Sequence, residues 1–296
     1  TAGAYDQSFN GGTAINPLFP SLNWVGMTFG YGYGHLNGTD IAVAHFSADA
    51  TSLIACTYVG GSGNDGLNNV LPLTHNYGDA FRGEIALDPQ QWPVVATSTQ
   101  SPDMPVSANA PQTTFGGGTQ DGYLFRMDPA LSTIQATFFG GSGNDSGYGV
   151  QFDSNGQVFI TGGTTSTDLP MAGTPYHATN SGDADGYVAR FSSDLTQLLS
   201  STYLGTAGFD QSYFVQLNTA DEVFVVGQTH GAFPVTPGKY ANPNSSQFIE
   251  KFNHDLSASL WSTVIGSGTG VEDVSPSAFL VSDCGYIYFS GWGGLV

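Results

Sequence analysis

Short runs of alternating apolar and polar residues, each bounded by glycine, asparagine and aspartate, recur four times along this chain. The clearest copy is 148–152, the turn Asp153-Ser154-Asn155-Gly156, then 157–161. Asn-Gly between two alternating runs predicts a tight β-hairpin. Its counterparts are 84–87 with 92–97, 213–217 with 222–227, and 278–281 with 286–290. A second kind of strand, at 40–46, 121–127, 185–191 and 246–252, is apolar at consecutive positions, as in Tyr123-Leu124-Phe125. A third kind follows each of these, at 56–59, 136–139, 201–204 and 262–265. No stretch holds an apolar period of 3.6 for three turns, so the pattern predicts an all-β protein.

A glycine loop joins the third strand of each unit to its hairpin. Gly-Gly-Ser-Gly-Asn-Asp stands at 60–65 and 140–145, with looser copies at 205–210 and 266–273. Four strands per unit, repeated at a period of about 65 residues, predict the four-stranded antiparallel blades of a β-propeller. Tandem β-sandwiches and an open β-solenoid are the alternatives. An exposed sandwich face would be polar at every other position, whereas a strand apolar on both faces suits a blade covered by two neighbours.

The units run approximately 1–106, 107–171, 172–234 and 235–296, and the first carries inserts at 13–39 and 67–80 that interrupt the repeat. Residues 1–296 are expected to form a single propeller domain or a fragment of a larger one. The last unit ends at the stage where the first begins, which fits either a ring closing within one blade or part of a longer array.

Charge narrows the partners. Five Lys plus Arg against 24 Asp plus Glu give a formal charge of −19, which repels a phosphate backbone and argues against nucleic acid. The same composition suits extracellular surroundings, where salt screens self-repulsion. No run approaches transmembrane length, so direct membrane insertion is not expected. Cys56 occupies a position held elsewhere by Ala136, Ser201 and Ser262 and reads as a small buried residue, while Cys284 stands in a turn. Neither predicts a cross-link on which the fold depends.

Three of the five basic residues fall in one register, since the penultimate position of the second strand is His45, Arg126, Arg190 or Lys251. The aspartates opening those strands, Asp40, Asp121 and Asp185, lie about 16 Å away along an extended chain. Each basic group is therefore expected to find its partner in another strand or blade, as a structural lock rather than a ligand site.

Asp65, Asp145, Asp210 and Asp273 close the glycine loops. Asx-type hydrogen bonding to loop amides is the simpler role, and Ca2+ held with loop carbonyls is the alternative. No other cofactor is expected. His35, His45, His75, His177, His230 and His254 are scattered over the units without the short spacing of a metal motif. Gly61-Ser62-Gly63 and Gly141-Ser142-Gly143 lie between antiparallel strands, not in the strand-to-helix turn of a hydrolase nucleophile. The segment 17–35, with Trp24, Phe29, Tyr31, Tyr33 and His35, is the most aromatic departure from the repeat. It is a candidate recognition surface for glycans or protein, or a cap on one propeller face.

Together, the glycine loop, the hairpin at 153–162, Ser-Thr-Asp-Leu-Pro at 166–170 and Asp-x-x-Val-x-Arg-Phe at 185–191 resemble the SBBP type of bacterial β-propeller repeat. The stretch 283–294 resembles the version found in very large surface and secreted proteins of gliding Bacteroidetes, exported by type IX secretion. The resemblance implies a cell-surface location and a propeller set among other modules in an adhesin or motility-associated filament. The expected function is a non-enzymatic structural or adhesion module whose partners are other domains or subunits of a surface assembly, or glycans. A polysaccharide-binding or polysaccharide-degrading propeller and a purely architectural spacer are the alternatives. The first-unit inserts depart from the regular repeat, so the resemblance does not extend to an inner surface carried over from such proteins.

Overall fold

A computed structural model describes residues 1–15, 37–76 and 78–293. The described residues form sixteen strands in antiparallel pairings and one 3-10 turn at Asp79–Phe81. In chain order these are β1 (Ile41–Phe46), β2 (Leu53–Val59), β3 (Glu84–Leu87), β4 (Pro93–Thr99), β5 (Asp121–Met127) and β6 (Ile134–Phe139). They continue as β7 (Asp145–Phe152), β8 (Val158–Thr164), β9 (Asp185–Phe191), β10 (Leu198–Leu204) and β11 (Asp210–Leu217). The last are β12 (Val223–Thr229), β13 (Gln247–Phe252), β14 (Ser259–Ile265), β15 (Val274–Val281) and β16 (Ile287–Gly293).

The four-stranded sheets are β3-β4-β5-β6, β7-β8-β9-β10 and β11-β12-β13-β14, each a meander in which sequence neighbours pair. This is an all-β fold of propeller blades. The blades are offset by half a repeat from the sequence units: the hairpin that ends one unit pairs with the two strands that begin the next. The offset leaves β1-β2 and β15-β16 as two-stranded sheets at either side of the three complete blades. Several strands begin earlier than the alternation shows. Strand β7, for example, starts at Asp145, whose amide donates to the carbonyl of Gln120 at 2.8 Å.

Packing follows the expected two-sided burial. Five consecutive residues from the start of β5, and likewise of β9, are buried. One apolar cluster joins Val94 and Leu124 of one blade to Val150, Ile160 and Phe191 of the next. Another joins Phe159 and Val188 to Val225, Phe248 and Phe252. Phe233 stacks on Phe248 with ring centroids 4.1 Å apart. Burying a side chain of this size contributes about 1.5–3 kcal/mol, so contact between blades is the main apolar stabilisation.

The turns carry a regularity of their own. Leu131, Leu195 and Leu256 sit at φ of 53°, 56° and 61° in the turns between the third and fourth strands, and all three are buried. A left-handed leucine costs about 1–2 kcal/mol, and burial of its side chain offsets this. The Asn-Gly turn meets the same demand differently, placing Gly156 at φ +77°.

Candidate functional site

The repeated loop motif is a hydrogen-bonded lock. Asp145 accepts from Gly141 N and Ser166 Oγ, both at 2.8 Å, and from Thr164 Oγ1. Asp65 repeats this with Gly61 N, Ser101 Oγ and Thr99 Oγ1. Asp210 accepts from Thr206 N and Oγ1, and Asp273 from Ser267 N and Oγ. The serine of the motif is bound from outside: Asp103 Oδ1 holds Ser62 N at 2.9 Å, and Asp168 Oδ1 holds Ser142 N at 2.8 Å. The third unit places Ala207 and Ala232 at these two positions, so both members of the pair are replaced together.

The two aspartate series meet at the loops. A Cβ on Gly140 would lie 2.6 Å from Asp121 Oδ1 and 2.8 Å from Asp145 Oδ2, so glycine alone lets both carboxyls close on the backbone. Burial pushes Asp121 up to about 7, with the Asp145 charge adding to it, and burial pushes Asp145 up to about 6. Asp185 is likewise pushed to about 7 by burial and by Asp210, and Asp65 to about 6 by burial. Asp121 Oδ1 and Asp185 Oδ1 accept no hydrogen bond among the described residues, a position that suits a protonated carboxyl far better than an ionised one. The loop aspartates thus take up the Asx-type role, accepting from backbone amides and from serine and threonine hydroxyls. Asp65, Asp121, Asp145, Asp185 and Asp210 are buried, and Asp273 is half-buried.

The basic register makes two kinds of contact. Arg126 pairs with Asp88 at 2.6 Å and lies 4.1 Å from the Trp92 ring centroid, and Lys251 pairs with Glu222 at 2.6 Å. Both partners belong to the first hairpin of the same blade. Arg190 Nη1 instead reaches His254 Nδ1 at 2.8 Å in the next blade, and His254 Nε2 returns to Asp153 at 2.8 Å. His45 Nδ1 lies 2.8 Å from the carbonyl of Pro129, also in the next blade. Cys56 is half-buried rather than buried, because β2 lies in a two-stranded sheet with one uncovered face, and Cys284 is exposed; both are free thiols.

Insert 67–80 and the residues just after it lie against the first strands of the blades. The Leu73 carbonyl accepts from Asn68 Nδ2 at 2.6 Å, Tyr148 Oη at 3.1 Å and Gln211 Nε2 at 3.1 Å. Asn76 Nδ2 donates to Tyr213 Oη at 2.8 Å. Arg82 pairs with the buried Asp79 at 2.9 Å, donates to the carbonyl of Pro276 at 2.9 Å and lies 4.1 Å from the Tyr213 ring centroid. The insert thus ties β7, β11 and β15 together.

At one end of this insert the structure assembles a cluster that sequence spacing did not reveal. His75 comes from the insert, His230 directly follows β12, and Glu272 precedes β15. Glu272 Oε1 contacts Nε2 of both histidines, and one ligand-type atom from each of the three lies within 4.8 Å of the others. The imidazole centroids are 4.6 Å apart at 74°, and both rings pack on Phe209, at 4.5 and 5.3 Å. Burial alone would raise the Glu272 carboxyl, but hydrogen bonds from the two imidazoles outweigh it and hold the group at about 2. The bond to Glu272 raises His75.

A signal was present in the repeat alignment. His230 stands where sister strands have Gln100 and Thr165, and Phe209 and Glu272 stand where sister loops have Asn64 and Asn144. The cluster is made from departures from the repeat. The other such departure, with Trp24, Phe29, Tyr31, Tyr33 and His35, lies outside the described residues. Among the described residues no helix is long and apolar enough to cross a membrane. No protein-family model matches the chain, and no curated protein matches it.

Proposed function

We propose that this chain is a non-enzymatic extracellular structural and adhesion module of a large secreted or cell-surface protein, joined to neighbouring β-structure by completion of its half-blades. One observation carries the reading: the two-stranded sheets expose positions that the complete blades bury. Tyr288 of β16 is 58% exposed, whereas its counterparts Phe159 and Phe224 are 0% and 3%. Phe46 of β1 is 57% exposed, against 1% for Met127 and 0% for Phe191 and Phe252. In repeat terms β15-β16 supplies the first two strands of a blade and β1-β2 the last two, so among the described residues each half lacks what the other provides.

Strand addition at such edges gives affinity through main-chain hydrogen bonds, and the exposed side chains add apolar area. Partners are then modules of the same repeat type, consistent with the acidic surface that disfavours nucleic acid. A second copy carries the same complementary halves, so the full chain tests the idea alone. Light scattering after size exclusion should show association that grows with concentration and is lost in Tyr288→Lys and Phe46→Lys. A wild-type protein that stays monomeric at the highest attainable concentration would overturn the proposal.

A further inference from the structure

We propose that His75, His230 and Glu272 form a binding site for a divalent transition-metal ion of the zinc class. Two imidazole nitrogens and a carboxylate oxygen, Nε2 of each histidine and Oε1 of Glu272, point into one small volume, all within 4.8 Å of one another. Two nitrogens and one oxygen suit Zn2+ and its neighbours, whereas Ca2+ and Mg2+ take oxygen-only sets. About a third of each histidine side chain and a fifth of Glu272 remain exposed. An ion would therefore reach the site from solvent and keep water in its open position, the arrangement of three-ligand zinc sites.

The surroundings fix the ligands. Phe209 packs against both imidazoles and limits their rotation. The backbone amide of His75 donates to buried Asp79 at 2.8 Å, which anchors the insert at that point. Three separate elements contribute, the insert, the end of β12 and the loop before β15, so the site exists only in the folded chain. An ion held there would bridge the insert to the third complete blade and to the β15-β16 half-blade. Because the unfolded chain cannot reproduce this geometry, binding adds to folding stability.

The test is calorimetric titration of ZnCl2 into the full chain, prepared without a histidine tag and freed of metal with EDTA. One Zn2+ per chain is expected to bind, to persist in excess calcium, and to raise the unfolding temperature. His75→Ala, His230→Ala and Glu272→Gln should each weaken binding roughly tenfold or more, at least the scale on which loss of a group outside the ligand set weakens a metal site. His177→Ala should bind as the wild type does. Glu272→Gln nearly preserves shape, and its metal-free melting curve separates a lost ligand from a lost fold. Absence of saturable Zn2+ binding, or binding that all three variants retain undiminished, would overturn the assignment and leave a histidine–carboxylate hydrogen-bond cluster.

Discussion

Asp121 and Asp145 both close on the space where a Gly140 side chain would stand, and that arrangement makes a prediction about pH. Their carboxyls, with Asp65, Asp185 and Glu250, titrate at about 6 to 7 because burial disfavours the charge. A group whose folded pKa is raised contributes stability that is complete below its unfolded value and is lost as pH rises through the folded one. The groups held low, such as Glu272 at about 2, lose their contribution only in stronger acid. Unfolding temperature measured by calorimetry should therefore fall as pH rises from about 5 to about 8, and Asp121→Asn should flatten the fall. A profile that rises over that range would contradict the account. The Gly-Gly-Ser-Gly-Asn-Asp motif was plain in the sequence, but its partners were not. Asp121 lies far from Gly140 in the chain, and only pairing of β5 with β6 brings them together.

Insert 67–80 shows at the scale of elements what the repeat pattern hides. The insert was legible as an interruption, yet its role depends on Arg82, one of the two basic residues outside the repeated register. Arg82 and Asp79 are both largely buried, and Arg82 also reaches Pro276 at the start of the last half-blade. Removing one partner of a buried pair costs about 3–5 kcal/mol. Arg82→Ala should lower the urea midpoint accordingly and open 67–82 to limited proteolysis before the blades are cut. An unchanged midpoint and cleavage pattern would show that the insert is not held by this pair. Strand identities were legible because alternation and Asn-Gly turns are local signals. The half-repeat offset of the blades was not, because which hairpin pairs with which strand is decided by long connections such as 100–120.

At the scale of the whole molecule, the described residues form three complete blades and two half-blades, and the propeller character was legible from strands apolar on both faces. What a single chain's pattern could not convey is which faces stay uncovered. Phe46 and Tyr288 look like core residues in the alignment, and only the sheet pairing shows them bare. The same limit applied to the His75, His230 and Glu272 cluster, whose members come from three elements and converge through the insert's path. The proposed assembly role rests on the edges of β1 and β16 that no strand of the described residues pairs. Hydrogen exchange read by mass spectrometry on the dilute, monomeric chain tests them most directly, because an amide without a strand partner exchanges far faster than one inside a sheet. Peptides covering β1 and β16 should exchange much faster than those covering β4, β8 and β12, and should become protected when concentration drives association. Protection of β1 and β16 in the monomer equal to that of β4, β8 and β12 would mean that the half-blades already pair within one chain, and would contradict the account.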